Sequence, residues 1–217
     1  CRWRHSVKQL IFDIETLGSD SNCICLLASF LVYDLKEDSH TPLNSLRHRV
    51  KTFKLSIDEQ SSVYQRTSDP DTVKWWKEQL AYAPQLKSIL SPTPEDLTVE
   101  QFYEQLSAWL VKQGYNKDTD WAWQRGTLDI MVLDSMFKQT GLDQKQFPIH
   151  WWKIRDLRTA IDLTAFPEKL NGYTNDAFDK APKVIEGFAK HDPVCDVLME
   201  VMQLRDCGIF NYDEIPF

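Results

Sequence analysis

The eight residues Ile11 to Gly18, IFDIETLG, pin two carboxylates to one spot in whatever this chain folds into. The run is apolar on either side of Asp13 and Glu15 and reads as a strand. Side chains two apart in a strand share a face. Asp13 and Glu15 therefore emerge together, while Phe12 and Ile14 turn to the opposite face and into a core. Two acids held this close repel each other and cost folding free energy unless a cation lies between them. A divalent metal site is one reading. A strand end with its polar face in water is the other, and a lone DxE does not choose between them.

The far end carries His191-Asp192-Pro193-Val194-Cys195-Asp196, then an amphipathic run to Asp206. Pro193 suits the first helical position and Asp192 the N-cap before it. His191 then sits on the incoming loop, and Asp196 in the first turns of the helix. At about 100° per residue, Val194, Val197, Leu198, Val201 and Leu204 form one stripe, with Asp196, Glu200 and Gln203 opposite. That position alone allows Asp196 to be an ordinary solvated acid. Between the two ends, Trp121-Ala122-Trp123-Gln124 reads as a strand, Gly126 as a turn, and Leu128 to Thr140 as a helix opening at Asp129. Asp129 either complements the positive end of that helix or serves a site.

Taken together, the three segments resemble the DEDD superfamily of 3′→5′ exonucleases in its histidine-containing branch (DEDDh). The family's DxE-Thr motif matches Asp13, Glu15 and Thr16. Its aspartate at the start of a helix matches Asp129, although the family often has Phe before it and this chain has Leu128. Its HxxxxD motif matches His191 and Asp196. The sister branch has a tyrosine four residues before the last aspartate, where this chain has Asp192. The segments Thr72–Lys77, Trp123–Gly126, Ile154–Thr159 and Gly187–Asp192 also resemble those of the exodeoxyribonuclease A group of T-even bacteriophages. That group is related to bacterial exoribonucleases of the same fold.

The resemblance implies an α/β, RNase H-like fold, a mixed central sheet flanked by helices. It also implies a 3′→5′ exonuclease that takes the 3′ ends of single-stranded nucleic acid and releases 5′-mononucleotides, with DNA favoured and RNA the alternative. By carry-over, Asp13, Glu15, Asp129 and Asp196 hold two Mg²⁺ or Mn²⁺ ions, and His191 accepts the proton of the attacking water. Thr16 and Leu17 would grip the terminal nucleotide. Arg155 and Arg158 form a second tier for phosphate, with ion pairs to Asp156 or Asp162 as the structural alternative. A binding module that has lost catalysis is a rival of another class, disfavoured because all four acids and the histidine are present.

At 217 residues and 42% hydrophobic, the chain has the size of one domain, read here as residues 1–217. The opening residues 1–6, without an initiator Met, are expected to be foreign, truncated or disordered. Five cysteines, an odd number without CxxC, fit a reducing compartment and no zinc set. No stretch approaches a membrane span, so the expected location is cytoplasmic (the host's if the chain is phage-encoded). A net charge of −7 argues against a broad basic grip on nucleic acid but not against acids neutralised by metal. Oligomeric state is not legible.

Strands are expected at Lys8 to Glu15, Cys23 to Leu35, Arg47 to Ile57 and Trp121 to Gln124. Helices are expected at Thr72 to Leu80, Val99 to Gln113 with Thr98 as cap, Leu128 to Thr140 and Arg155 to Leu163. The segment Phe166 to Lys190 reads as irregular. The tryptophan pairs Trp75/Trp76, Trp121/Trp123 and Trp151/Trp152 are read first as core and second as stacking platforms for bases.

Overall fold

Successive residues of Lys8–Thr16 enter two different cores, which makes this segment the central strand, β1. Leu10, Phe12 and Ile14 pack into one buried cluster and Ile11 into the other. The computed structural model describes residues 8–164 and 170–210; the expectation about residues 1–6 lies outside them. β2 (Cys25–Asp34) runs antiparallel to β1 and is buried throughout. β3 (Lys51–Lys54) runs antiparallel to β2. β4 (Trp121–Gln124) lies parallel to β1 on its other side, and β5 (Ile154–Asp156) parallel to β4. The order is β3-β2-β1-β4-β5, one mixed sheet of five strands.

The helices are α1 (Leu43–Arg47), α2 (Ile57–Ser62), α3 (Pro70–Tyr82), α4 (Lys87–Leu90), α5 (Val99–Lys112), α6 (Leu128–Gln139), α7 (Leu157–Thr164), α8 (Ala177–Val184) and α9 (Pro193–Asp206). α5 and α6 cover the Leu10/Phe12/Ile14 face, and α7, α8 and α9 cover the Ile11 face. α3 and α4 form a smaller third cluster with Leu17, Ile24 and Leu26. No described helix is long and apolar enough to cross a membrane.

The expected caps are present. Asp192 accepts from the Val194 and Cys195 N–H groups at the start of α9. Thr98 and Gln101 form a reciprocal capping box on α5. Three expectations are corrected. The long strand Arg47 to Ile57 is only the four-residue β3, because Leu43 and Leu46 bury one face of a helical turn before it and Ser56 caps α2 after it through the Glu59 N–H. The helix expected from Arg155 begins at Leu157. Asp156 accepts from the Arg158 and Thr159 N–H groups and so starts the helix, leaving Ile154–Asp156 to pair with β4. The irregular segment contains α8, and residues 165–169 lie outside the described set.

α9 is not amphipathic in the expected sense. Val197, Leu198, Val201 and Leu204 are fully buried as read, but so are Glu200 and Gln203 on the side expected to meet water. That side faces the acid-bearing face of β1, and the site is built between them.

Candidate active site

β1 delivers Asp13 and Glu15 on the face of Ile11, at the carboxyl ends of the two parallel strands β1 and β4, the usual place for a ligand crevice in such a sheet. A bulge between Glu15 and Thr16 ends the ladder. β4 then turns at Gly126, whose φ of 78° favours a residue without Cβ. The Gly126 N–H donates to Asp156 Oδ1 at 2.9 Å. Gln124 Oε1 accepts from the Ile130 N–H at 2.8 Å and caps the start of α6. These bonds fix Asp129, which is 7% exposed. α9 contributes Asp196, and one turn later Glu200.

The five acids sense one another. Burial raises Asp13 well above the usual carboxylate range, followed by the charges of Glu15, Asp129, Asp196 and Glu200. Burial and then Asp196 and Asp129 raise Glu15. Burial pushes Asp129 up to about 7, restrained by Arg158, Arg125 and neighbouring backbone N–H groups. Asp196 also rises to about 7 through burial, restrained by the His191 N–H. Glu200 is raised by burial against the pull of Arg125.

His191 has a φ of 62°, a strained conformation for a residue with Cβ. Two contacts hold it there. Its N–H donates to Asp196 Oδ2 at 3.0 Å, and its ring stands edge-on to Trp75 with centroids 4.6 Å apart. Trp76, 1% exposed, lies behind and donates Nε1–H to the Thr16 carbonyl at 2.9 Å. Burial first, then Lys190, lowers the His191 pKa.

Asp13, Glu15, His191, Asp196 and Glu200 line a cavity of about 310 Å³, with Ile14 and Met199 beside them. Arg125, Tyr173, Phe178 and Lys190 also line it. The Arg125 guanidinium lies 4.1 Å from the Tyr173 ring centre, and the Lys190 ammonium 4.0 Å from that of Phe178. Arg125 also donates to the Gly172 carbonyl and approaches Glu200 Oε1 at 3.7 Å.

The donor set fits divalent cations. Asp13 Oδ2, Asp129 Oδ2 and Glu200 Oε2 are buried without a hydrogen-bond partner, a costly state that a bound cation would relieve. Glu15, His191 and Asp196 each offer a ligand atom, all within 4.8 Å of one another. Carboxylate oxygens select hard ions such as Mg²⁺ or Mn²⁺.

The structure brings Asp13, Glu15, Asp129, His191 and Asp196 to one place. It treats the four expected substrate contacts differently. Thr16 bonds through Oγ1 to the Gly18 carbonyl at 2.7 Å, and the Leu17 side chain is buried beside Trp76. Arg155 does not line the cavity; it lies 4.6 Å over Trp121 and donates to the Trp152 and Ile154 carbonyls. Arg158 lies close enough to influence Asp129. The carboxylates of Asp156 and Asp162 accept backbone N–H groups, Asp162 from Gly172 at 2.7 Å. Sequence reasoning missed Glu200, Arg125 and Trp75 as members of the site. The four-residue spacing of Asp196 and Glu200, which places both on one helical face, was the available signal for Glu200.

Residues 8–194 match the family model described as the 3′-5′ exoribonuclease Rv2179c-like domain. The chain belongs to this family. As an Rv2179c-like domain, it shares its fold with cell-death related nuclease 4 (CRN-4) at a TM-score of 0.58 and 17% identity, covering 92% of this chain and 63% of that one. It thus spans less than two thirds of CRN-4. A second solved neighbour is S. pombe Pop2p in its Mg²⁺- and Mn²⁺-bound form, at a TM-score of 0.55 and 12% identity, covering 94% of this chain and 82% of that one. These likenesses establish the RNase H-like fold of the Rv2179c-like domain. No curated protein matches it in sequence.

Proposed function

We propose that the cavity hydrolyses the 3′-terminal phosphodiester of single-stranded nucleic acid, releasing 5′-mononucleotides with the aid of two divalent cations. One observation carries this reading. Acids from three separate elements, β1, α6 and α9, converge beside the imidazole of His191, with several of their oxygens buried and unpartnered. Asp13, Glu15, Asp129 and Asp196 would hold the ions, which when bound supply a nucleophilic water at neutral pH and offset charge on the phosphoryl group. His191 would accept the proton of the attacking water. Its lowered pKa keeps the ring neutral and ready to do so near pH 7. The Trp75 contact holds the ring, and the bond from the His191 N–H to Asp196 holds its backbone, where it lines the cavity. Arg125 and Lys190 line the same cavity and suit a phosphate entering it.

The family's description supports RNA as the substrate. The segments Thr72–Lys77 and Gly187–Asp192, similar to those of the phage exodeoxyribonuclease A group, support DNA as the second reading. The deciding experiment presents 5′-labelled RNA and DNA oligonucleotides of one sequence side by side with Mg²⁺ or Mn²⁺. The expected result is a ladder shortening from the 3′ end, abolished by EDTA and by a 3′-phosphate. Cleavage inside a 3′-blocked strand, or none on either polymer, would remove the exonuclease assignment.

A further inference from the structure

At the amino-terminal ends of β4 and β5, away from the acid cavity, the fold leaves three indoles in water. Trp151 is 76% exposed, Trp152 50% and Trp121 41%. They form one surface. Arg155 lies 4.6 Å over the Trp121 ring and donates to the Trp152 carbonyl at 3.1 Å, so it joins the two. Trp151 meets Trp152 edge-on at 5.3 Å. His150 stacks flat on Trp152, with centroids 4.3 Å apart and 15° between planes. Clustered exposed aromatic area of this kind marks a binding surface more often than a single exposed ring does.

The charges around these rings state what would bind there. In a chain of net charge −7, Lys153, Arg155 and Arg158 fall within six residues, with Asp156 the acid among them, while Asp118 lies 2.6 Å from His150 Nε2. The Asp156 carboxylate is engaged by the N–H groups of Gly126, Arg158 and Thr159. Flat rings interleaved with cations suit the bases and phosphates of a single strand. A second copy of the chain, docking through the same patch, would set these cations against their own images.

One strand connects this surface with the neighbourhood of the cavity. β5 starts beside Trp152 and ends at Asp156, and two residues later Arg158 reaches the neighbourhood of Asp129. The six steps from Trp152 to Arg158 span at most about 20 Å at the rise of a strand, within reach of a few nucleotides. We propose that Trp121, Trp151, Trp152 and Arg155 form a holding site for the 5′-ward part of a single strand whose 3′ end occupies the acid cavity. The direction of the strand rests on the exonuclease reading; the presence of the holding site does not.

The test uses the Trp151→Ala/Trp152→Ala double variant, whose exposed rings are not needed for the core. Binding is followed by the anisotropy of a fluorescent single strand of roughly twelve nucleotides, in EDTA so that nothing is cut. The variant should bind about tenfold more weakly, the effect of losing about one stacked base. In hydrolysis assays its KM for the long strand should rise about tenfold, with kcat unchanged and with unchanged kcat/KM for a dinucleotide. Equal losses on both lengths, or unaltered anisotropy, would overturn the holding site. So would sedimentation showing a dimer that the double variant converts to monomer while strand binding persists. If the unaltered protein cuts neither polymer yet loses strand affinity in the double variant, the holding site stands and the exonuclease reading fails.

Discussion

Glu200 is buried and Arg125 mostly so at the edge of the acid cluster, with side chains 3% and 13% exposed and 3.7 Å between Oε1 and Nε. Removing one partner of a buried pair strands the other. At pH 8, where the carboxyls are most ionised, Arg125→Met should therefore destabilise the protein by roughly 3 kcal/mol, because nothing would then oppose the charge of Glu200 beside its neighbouring acids. The Arg125→Met/Glu200→Gln double variant should recover more than about 1 kcal/mol of that loss, as contacting residues couple. A urea double-mutant cycle measures this, and additive single effects would show that the pair is not coupled. His191 tests the chemistry. His191→Ala should lower turnover by about 10²–10⁴-fold while leaving calorimetric Mn²⁺ binding nearly unchanged. Asp13→Asn or Asp196→Asn should abolish turnover with the fold intact by circular dichroism. An unaltered rate in His191→Ala would remove the imidazole from the reaction, and full activity in either acid variant would dismantle the metal assignment.

α9 carries the candidate base at its own amino terminus. Asp192 accepts from two N–H groups at the helix start, and the residue before it is His191, held at a φ of 62°. Asp192→Ala should cost about 1 kcal/mol of stability through the lost cap. Because the same loop carries the imidazole, kcat should fall at least tenfold, well beyond what that stability loss explains, while Asp192→Asn, which keeps an acceptor, should restore most of it. Loss of stability without a matching loss of kcat would show that the cap does not position His191. This terminus was legible in the sequence because Asp-Pro is a strong local signal, as were β1, β4 and the Thr98 cap. β3 and β5 were not, because four- and three-residue strands carry too little periodicity to outweigh the helical patterns beside them. For β3 the Ser56-Ile57-Asp58-Glu59 signature was there to be read, since Ser56 caps through the Glu59 N–H. The five candidate positions Asp13, Glu15, Asp129, His191 and Asp196, which the fold brings together, came from matching motifs. Glu200 did not, because a helical wheel shows which residues share a face and not what that face meets. The exposure of Trp151 and Trp152 against the burial of Trp76 and Trp123 is likewise set by long-range packing, which adjacent residues in a sequence do not reveal.

Across the whole molecule, the cluster ties stability to pH and to divalent ions. Asp129 and Asp196 rise to about 7, and Asp13, Glu15 and Glu200 are raised as well. A carboxyl whose folded pKa exceeds its unfolded value keeps its proton longer in the folded chain. Between the unfolded range, near 4, and about 7, the folded state therefore binds more protons, and stability falls as pH rises. His191 acts in the opposite sense. Its lowered pKa makes the folded state bind fewer protons around and below the ordinary histidine value, so stability there rises with pH. It is one group against five, and the acids set the trend. Without divalent ions, the melting temperature should thus be higher at pH 5 than at pH 8, by at least about 5 °C, or ~2 kcal/mol for a chain of this size. Saturating Mg²⁺ or Mn²⁺ should reverse much of this at pH 8, because an ion that binds only the folded state stabilises it by mass action. The same ion should do little at pH 5, where protons already occupy the carboxyls. Differential scanning calorimetry at the two pH values, with and without ion, gives four melting temperatures. If the ion-free protein melts higher at pH 8, or the ion raises both values equally, these acids do not share one buried, cation-seeking cavity. The basis for reading the chain as an exonuclease would go with it.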